Sequence, residues 1–109
     1  NQIRLLGIQM VASYMVKSHF KILLINDKYD IVAFKNDMLI LSCVNTLVGT
    51  KTINSKIPVN GVNFNSVIRK SLVEIGIDSF KHLRIDSVYI KLLKNGPKIT
   101  IEKGELYDI

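Results

Sequence analysis

The sequence has a single cysteine, Cys43, among its 109 residues. One thiol cannot form an intramolecular disulfide, and it cannot supply a cysteine cluster for a structural zinc ion. No apolar run reaches the roughly 18 residues that a membrane-spanning helix requires. The first residues carry neither the charged region nor the small-residue cleavage site of a secretory signal. We therefore expect a single cytoplasmic domain over residues 1–109 that does not contact a membrane.

Acidic residues are missing from two long stretches of the chain. Residues 1–26 and 38–73 contain no aspartate or glutamate, so only Asp27, Asp30 and Asp37 remain in the first 73 residues. Magnesium prefers oxygen ligands, above all carboxylates, and neither stretch can supply one. The net charge is +6 at pH 7, which permits contact with phosphate groups. The lysines are spread along the sequence, however, and a solvated surface explains them equally well.

The remaining pattern predicts a small α/β protein. Residues 3–18 are apolar except for a narrow polar stripe, which predicts a helix buried by its own sheet or by a partner subunit. Residues 46–57 are polar and basic, which predicts a surface loop, and a second helix should begin near Asn60 or Asn63 and end near Ile75. The order α-β-β-β-α-β-β favours a small mixed sheet flanked by helices. Branched apolar runs bounded by turn residues predict strands at residues 20–25, 31–34, 38–44, 83–93 and, after a turn at 95–97, 98–102.

The hairpin at residues 29–45 carries the pattern closest to a functional site. Asp30 precedes its first strand, and Cys43 and Asn45 lie two residues apart on one face of its second strand. An acidic residue at the start of one strand and two ligand residues at the end of the next strand can together form a metal site. A thiol and an amide, however, cannot replace a carboxylate and an ammonium group around magnesium.

Other catalytic arrangements have little support in the sequence. Cys43 would need a nearby base to act as a nucleophile, and His19 and His82 are both far from it in sequence. We therefore expect a buried structural cysteine and two surface histidines. Gly49 and Gly61 belong to no phosphate-binding glycine motif.

Short stretches along almost the whole chain resemble one known family. The matching residues lie in three parts of the chain. The first helix contributes 4–7, 12, 14 and 15; the next strand and the hairpin contribute 22–23, 26, 30–33, 37, 39–40 and 46; the C-terminal part contributes 84–88. In this order they resemble the YraN family of uncharacterised proteins, which have the restriction-endonuclease-like (PD-(D/E)xK) fold. The resemblance implies a nuclease scaffold in which carboxylates bind one or two magnesium ions and a lysine helps to position or activate the attacking water.

The catalytic positions implied by that resemblance are mostly substituted. A glutamate of the first helix is replaced by Ile8, and the Glu-x-Lys motif that ends the hairpin is replaced by Cys43-Val44-Asn45. Of four expected catalytic positions only Asp30 is kept, as a vestige of the site. The resemblance therefore implies an impaired enzyme with no cofactor, and Mg²⁺ would be required only if a remodelled site at Asp30 and Asp27 were active.

Three functional hypotheses follow from these observations. The first is binding of DNA or RNA without cleavage, through basic residues that flank the former active-site face in the family-like arrangement: Lys51, Lys56, Arg69 and Lys70. The second is a non-enzymatic interaction module that forms a homodimer through helix 3–18. The third is a metal-dependent nuclease with a remodelled site around Asp30.

Overall fold

A computed structural model describes residues 2–26, 29–55, 70, 72–74, 76 and 80–108 of the chain. Its elements are α1 (Gln2–Lys17), β1 (Lys21–Asn26), β2 (Asp30–Lys35), β3 (Met38–Val48), β4 (Lys51–Ile53), β5 (His82–Leu93), β6 (Gly96–Glu102) and β7 (Leu106–Asp108). The strands form a mixed sheet whose main path is β1-β2-β3-β5-β6. β3 and β5 are parallel, and the other pairs are antiparallel. None of the helices in these described ranges is long and apolar enough to cross a membrane.

The two longest strands, β3 and β5, form the centre of the sheet. They pair continuously from Met38 opposite His82 to Val48 opposite Leu92. On the edge that faces away from β5, β3 pairs first with β2 and then with β4. On the edge that faces away from β3, β5 pairs first with β7 and then with β6. Each outer edge therefore contains a break where one short strand ends and the next begins. The break beside β3 spans residues 43–45, and the break beside β5 spans residues 85–86.

Apolar side chains cover both faces of the sheet, because successive residues of a strand point to opposite sides. On one face, Ile8, Val11 and Met15 of α1 pack with side chains that include Val44 and Val88. The other face forms a second apolar cluster that contains Tyr29, Val32, Leu39, Leu41, Cys43, Leu72, Leu83 and Ile85.

The predicted first helix, the hairpin and the β5 strand are confirmed, and the fold class is mixed α/β. The helix is less enclosed than predicted, because the sheet covers only one side of it. Leu5, Leu6 and Val16 expose 47%, 45% and 57% of their surfaces. Most of the second predicted helix lies outside the described residues, including Asn60, Asn63 and Ile75, although residues 70 and 72–74 are helical.

The prediction of a surface loop at residues 46–57 is wrong for residues 46–53, which form a hairpin. Residues 46–48 continue β3, and β4 pairs back on them after a turn at Gly49, which has a φ of +61°. Thr46 is fully buried. The polar composition concealed this hairpin, because threonine side chains suit a strand as well as a loop.

Two further details at the C-terminal end differ from the prediction. The turn at residues 95–97 is shifted, because Gly96 and Pro97 already pair with β5 and the turn itself comprises Lys94 and Asn95. Proline is tolerated there, since β6 lies at the end of the main sheet path and need not donate a hydrogen bond outward. The predicted order also lacks β7, which returns the chain to the first residues of β5.

Candidate functional site

Asp30 lies fully buried at the break beside β3. It begins β2 with a φ of +56°, a left-handed conformation that aspartate tolerates better than most residues. Its Oδ2 accepts a hydrogen bond of 2.9 Å from the backbone N–H of Val44 and one of 2.6 Å from the Ser55 hydroxyl. Val44 falls where β3 has no strand partner on this edge. The carboxylate therefore satisfies a backbone donor that a continuous strand would otherwise have paired.

The positive charge next to Asp30 comes from helix α1. Arg4 is 2% exposed, and its guanidinium forms a buried ion pair with Asp30 Oδ1. Arg4 lies one helical turn before Ile8, on the same side of the helix. Ile8 itself is buried in the apolar cluster between α1 and the sheet. Helix α1 thus supplies a cation and an apolar side chain here, whereas the family resemblance implied a carboxylate.

Cys43 and Asn45 both have structural partners. Burial, together with the nearby Asp30 and Asp86 carboxylates, raises the pKa of Cys43 to about 12, although a hydrogen bond with Ser55 acts in the opposite direction. Cys43 is therefore a protonated thiol at neutral pH, a poor nucleophile and a poor metal ligand. Asn45 Oδ1 accepts a 3.0 Å hydrogen bond from the backbone N–H of Ser55, and Asn45 Nδ2 donates to the Cys43 carbonyl at 3.4 Å.

A second buried carboxylate, Asp86, lies at the break beside β5. Arg84 donates to it through two nitrogens, from Nε to Oδ1 at 2.7 Å and from Nη2 to Oδ2 at 2.8 Å. The backbone N–H of Gly104, between β6 and β7, donates to Oδ1 at 3.2 Å. An arginine-paired aspartate therefore lies at each break; Asp30 accepts a hydrogen bond from the backbone of β3, and Asp86 accepts one from the segment between β6 and β7.

These residues do not fit a magnesium site. Within the described part of the chain, no three His, Cys, Asp or Glu side chains come together. Both oxygens of Asp30 are engaged, and a divalent cation there would meet the guanidinium of Arg4. Asp27, the other acid of the remodelled-site hypothesis, lies outside the described residues. Of the two histidines, His19 is exposed and His82 is half-buried.

The predicted nucleic-acid contacts are placed only in part. Lys51 on β4 and Lys70 in a helical segment are both exposed, whereas Lys56 and Arg69 lie outside the described residues. Because β3 and β5 are parallel, the β3–β4 and β5–β6 hairpins turn at the same end of the sheet. We call this region the basic end. Among the described residues, four exposed lysines lie there: Lys51, Lys91, Lys94 and Lys98.

The charge pattern of the basic end is unfavourable for the isolated protein. Lys91 and Lys98 are direct cross-strand partners, and like charges in such positions repel. Residues 38–55 and 87–101, which include both turns and the adjoining strand residues, contain no acid that could offset them; Asp86 on β5 and Glu102 at the end of β6 lie just outside this range. Sequence inspection missed these lysines because they are up to 47 residues apart (98 − 51), and only the parallel register places them at the same end of the sheet, with Lys51 on the α1 face and Lys91 and Lys98 on the other.

Sequence inspection also missed Arg4 and Ser55 as the partners of Asp30. Ser55 follows a strand that was predicted as a loop, so nothing in the sequence indicated its position. Arg4 did leave a signal, since it lies on the same helical side as Ile8 and Val11 and a buried arginine needs an acidic partner. Comparison of the chain with protein-family models, with curated proteins and with solved structures gives no match.

Proposed function

We propose that this protein binds nucleic acid through the basic end of its sheet and does not cleave it. The observation that carries the proposal is the group of four exposed lysines near the turns of two adjacent hairpins, where residues 38–55 and 87–101 contain no acid. Phosphate groups placed between Lys91 and Lys98 would turn a repulsive pair into two attractive contacts. A nucleic-acid backbone presents phosphates in a regular series, which suits several lysines at one end of a sheet.

The lack of cleavage is supported by the contacts of Asp30. A carboxylate that already binds Arg4, Val44 and Ser55 has no free oxygen to offer a metal ion. The restriction-endonuclease-like fold remains part of the proposal. It is supported by α1 preceding three antiparallel strands, by the mixed sheet, and by the position of Asp30 at the entrance to β2. On this interpretation the fold keeps a nuclease scaffold whose acid now stabilises the sheet.

Salt-dependent binding tests the proposal directly. Fluorescently labelled single-stranded and duplex DNA and RNA are titrated with the protein at several salt concentrations. Affinity should fall linearly on a log–log plot, and each lost phosphate contact should reduce the slope by about 0.9 on duplex DNA. A Lys91→Gln/Lys98→Gln variant should therefore lower the slope by about 1.8.

Lys81→Gln provides the matched control. Lys81 is exposed and comes directly before β5. Lys91 lies near the other end of this strand, about 33 Å away, so Lys81 is far from the basic end. This variant should bind like the parent protein. Absence of binding at low salt, or equal slopes for both variants, would overturn the proposal. Incubation with Mg²⁺ or Mn²⁺ tests the second half of it, since cleavage that disappears in Asp30→Asn would restore the nuclease hypothesis.

A further inference from the structure

One side of α1 leaves apolar side chains exposed next to the β6 edge of the sheet. Ile3, Leu6 and Tyr14 are 37%, 45% and 43% exposed, and Met10 between them is half-buried. These four positions recur at three- and four-residue intervals, so they form one continuous stripe along the helix. The stripe does not include Leu5 or Val16, which are also exposed but lie on the opposite flank of the helix.

A groove separates this stripe from strand β6. It encloses about 410 Å³ and is lined by Met10, Ser13, Tyr14, Lys17, Pro97 and Ile99. The groove exists because a helix about 10 Å wide cannot cover a sheet path whose four strand spacings add up to about 19 Å. Ile99 and Ile101 point towards α1 and yet remain only partly buried. The sheet therefore has more apolar surface on this face than its own helix can enclose.

The charge of this surface favours a second copy of the chain as its partner. The stripe from Ile3 to Tyr14 has no charged residue, and Lys17 stands at its end. A two-fold interface brings a surface against itself, so any charge near its centre would repel its own copy. Antiparallel packing of two α1 helices would place the two Lys17 side chains at opposite ends. Lys98 of the basic end lies next to Ile99 in sequence and points to the other face of β6.

We propose that the α1 stripe and its groove form a homodimer interface, in which the helices pack antiparallel and each inserts apolar side chains into the groove of the other. The exposed parts of the stripe and groove amount to roughly 400–500 Å² per protomer, or about 800–1,000 Å² in total, which is at the lower limit for a specific interface. The dimer should therefore be weak, with a dissociation constant on the order of 10–100 µM.

Sedimentation velocity on the full chain tests this proposal, at concentrations from about 1 to about 200 µM. The parent protein should shift from monomer to dimer over this range. Leu6→Glu should raise the dissociation constant at least about tenfold, because it places a charge against its own copy. Leu5→Glu is the matched control. The two leucines are adjacent and 47% and 45% exposed, and the substitutions change the net charge equally, but only Leu6 lies on the stripe.

Ser13→Arg is a second test that does not alter an apolar residue, since Ser13 is exposed and lines the groove. It should weaken the dimer as Leu6→Glu does, and circular dichroism should show parent-like helix content in all three variants. A protein that stays monomeric at the highest concentration overturns the proposal, whether or not another molecule fills the groove. Equal weakening by Leu5→Glu and Leu6→Glu overturns it as well, because the effect would then not depend on the stripe.

Discussion

The buried ion pair between Arg4 and Asp30 leads to a prediction that separates a structural acid from a catalytic one. The variants are Asp30→Asn, Arg4→Met and the double substitution. If Asp30 closes the break in the sheet, each single variant should unfold more easily than the parent protein. A residue kept only for chemistry behaves in the opposite way, because its removal leaves stability unchanged or raises it.

The expected loss of folding stability follows from the burial of both Arg4 and Asp30. Arg4 and Asp30 are 2% and 0% exposed, so removal of one leaves the other charged and without compensation in the interior. Such a loss costs about 3–5 kcal/mol, a large part of the roughly 5–15 kcal/mol that stabilises a typical domain. The double variant should lose less than the sum of the two singles, since neither unpaired charge remains.

Urea unfolding followed by far-UV circular dichroism measures these differences, because the chain has no tryptophan for fluorescence. With a slope of about 1–1.5 kcal/mol per molar urea, a loss of 3 kcal/mol lowers the midpoint by about 2–3 M. Asp37→Asn is the matched control. Asp37 lies in the same hairpin with a similar φ of +60°, but it is exposed and should change stability by less than about 0.5 kcal/mol. An Asp30→Asn midpoint equal to that of Asp37→Asn would refute the structural role.

Three further predictions concern close contacts and the buried thiol. Gly7→Ala should destabilise the protein by about 1–3 kcal/mol in urea unfolding, although alanine favours helices. The reason is that the added Cβ would lie 2.1 Å from Thr46 Oγ1. Adding Thr46→Ala to this variant should partly restore stability. Gly104→Ala should cost at least about 2 kcal/mol in the same assay, since its Cβ would lie 1.8 Å from the Ile85 carbonyl oxygen, which cannot move away. Because the pKa of Cys43 is raised to about 12, the folded protein keeps a proton that the unfolded chain loses above about pH 9. The stability measured by urea unfolding should therefore fall towards pH 12 by up to about 1.4 kcal/mol per pH unit, and Cys43→Ala should lack this component.

The elements that sequence reasoning predicted correctly include the longest apolar segments of the chain. Helix α1 is a long apolar segment with a narrow polar stripe, and β5 is a long, mostly apolar run followed by turn residues. β4 and β7 have three residues each, and both depend on pairing with a distant strand rather than on their own composition. Short strands of this kind are stabilised by tertiary contacts, which a local pattern cannot show.

At the candidate site, too, sequence reasoning missed contacts between residues that are distant in sequence. Sequence reasoning identified Asp30 correctly as the acid that enters the hairpin, and it identified Cys43 and Asn45 as unsuitable metal ligands. It could not show which positive charge faces Asp30, because Arg4 is 26 residues away. The sequence alone does not distinguish an aspartate that binds a metal ion from one that stabilises the sheet.

The contacts at the two breaks in the sheet explain how Asp30 and Asp86 can be fully buried carboxylates. A buried carboxylate is costly unless a positive charge lies beside it. Arg4 provides that charge for Asp30, and Arg84 does the same for Asp86 at the second break. Like Asp30, Asp86 pairs with an arginine and accepts a backbone hydrogen bond, which in its case comes from Gly104. The contacts of Asp30 within the sheet therefore account for a buried acid at this position, whereas the two proposals for function concern the surface, at the basic end and along α1.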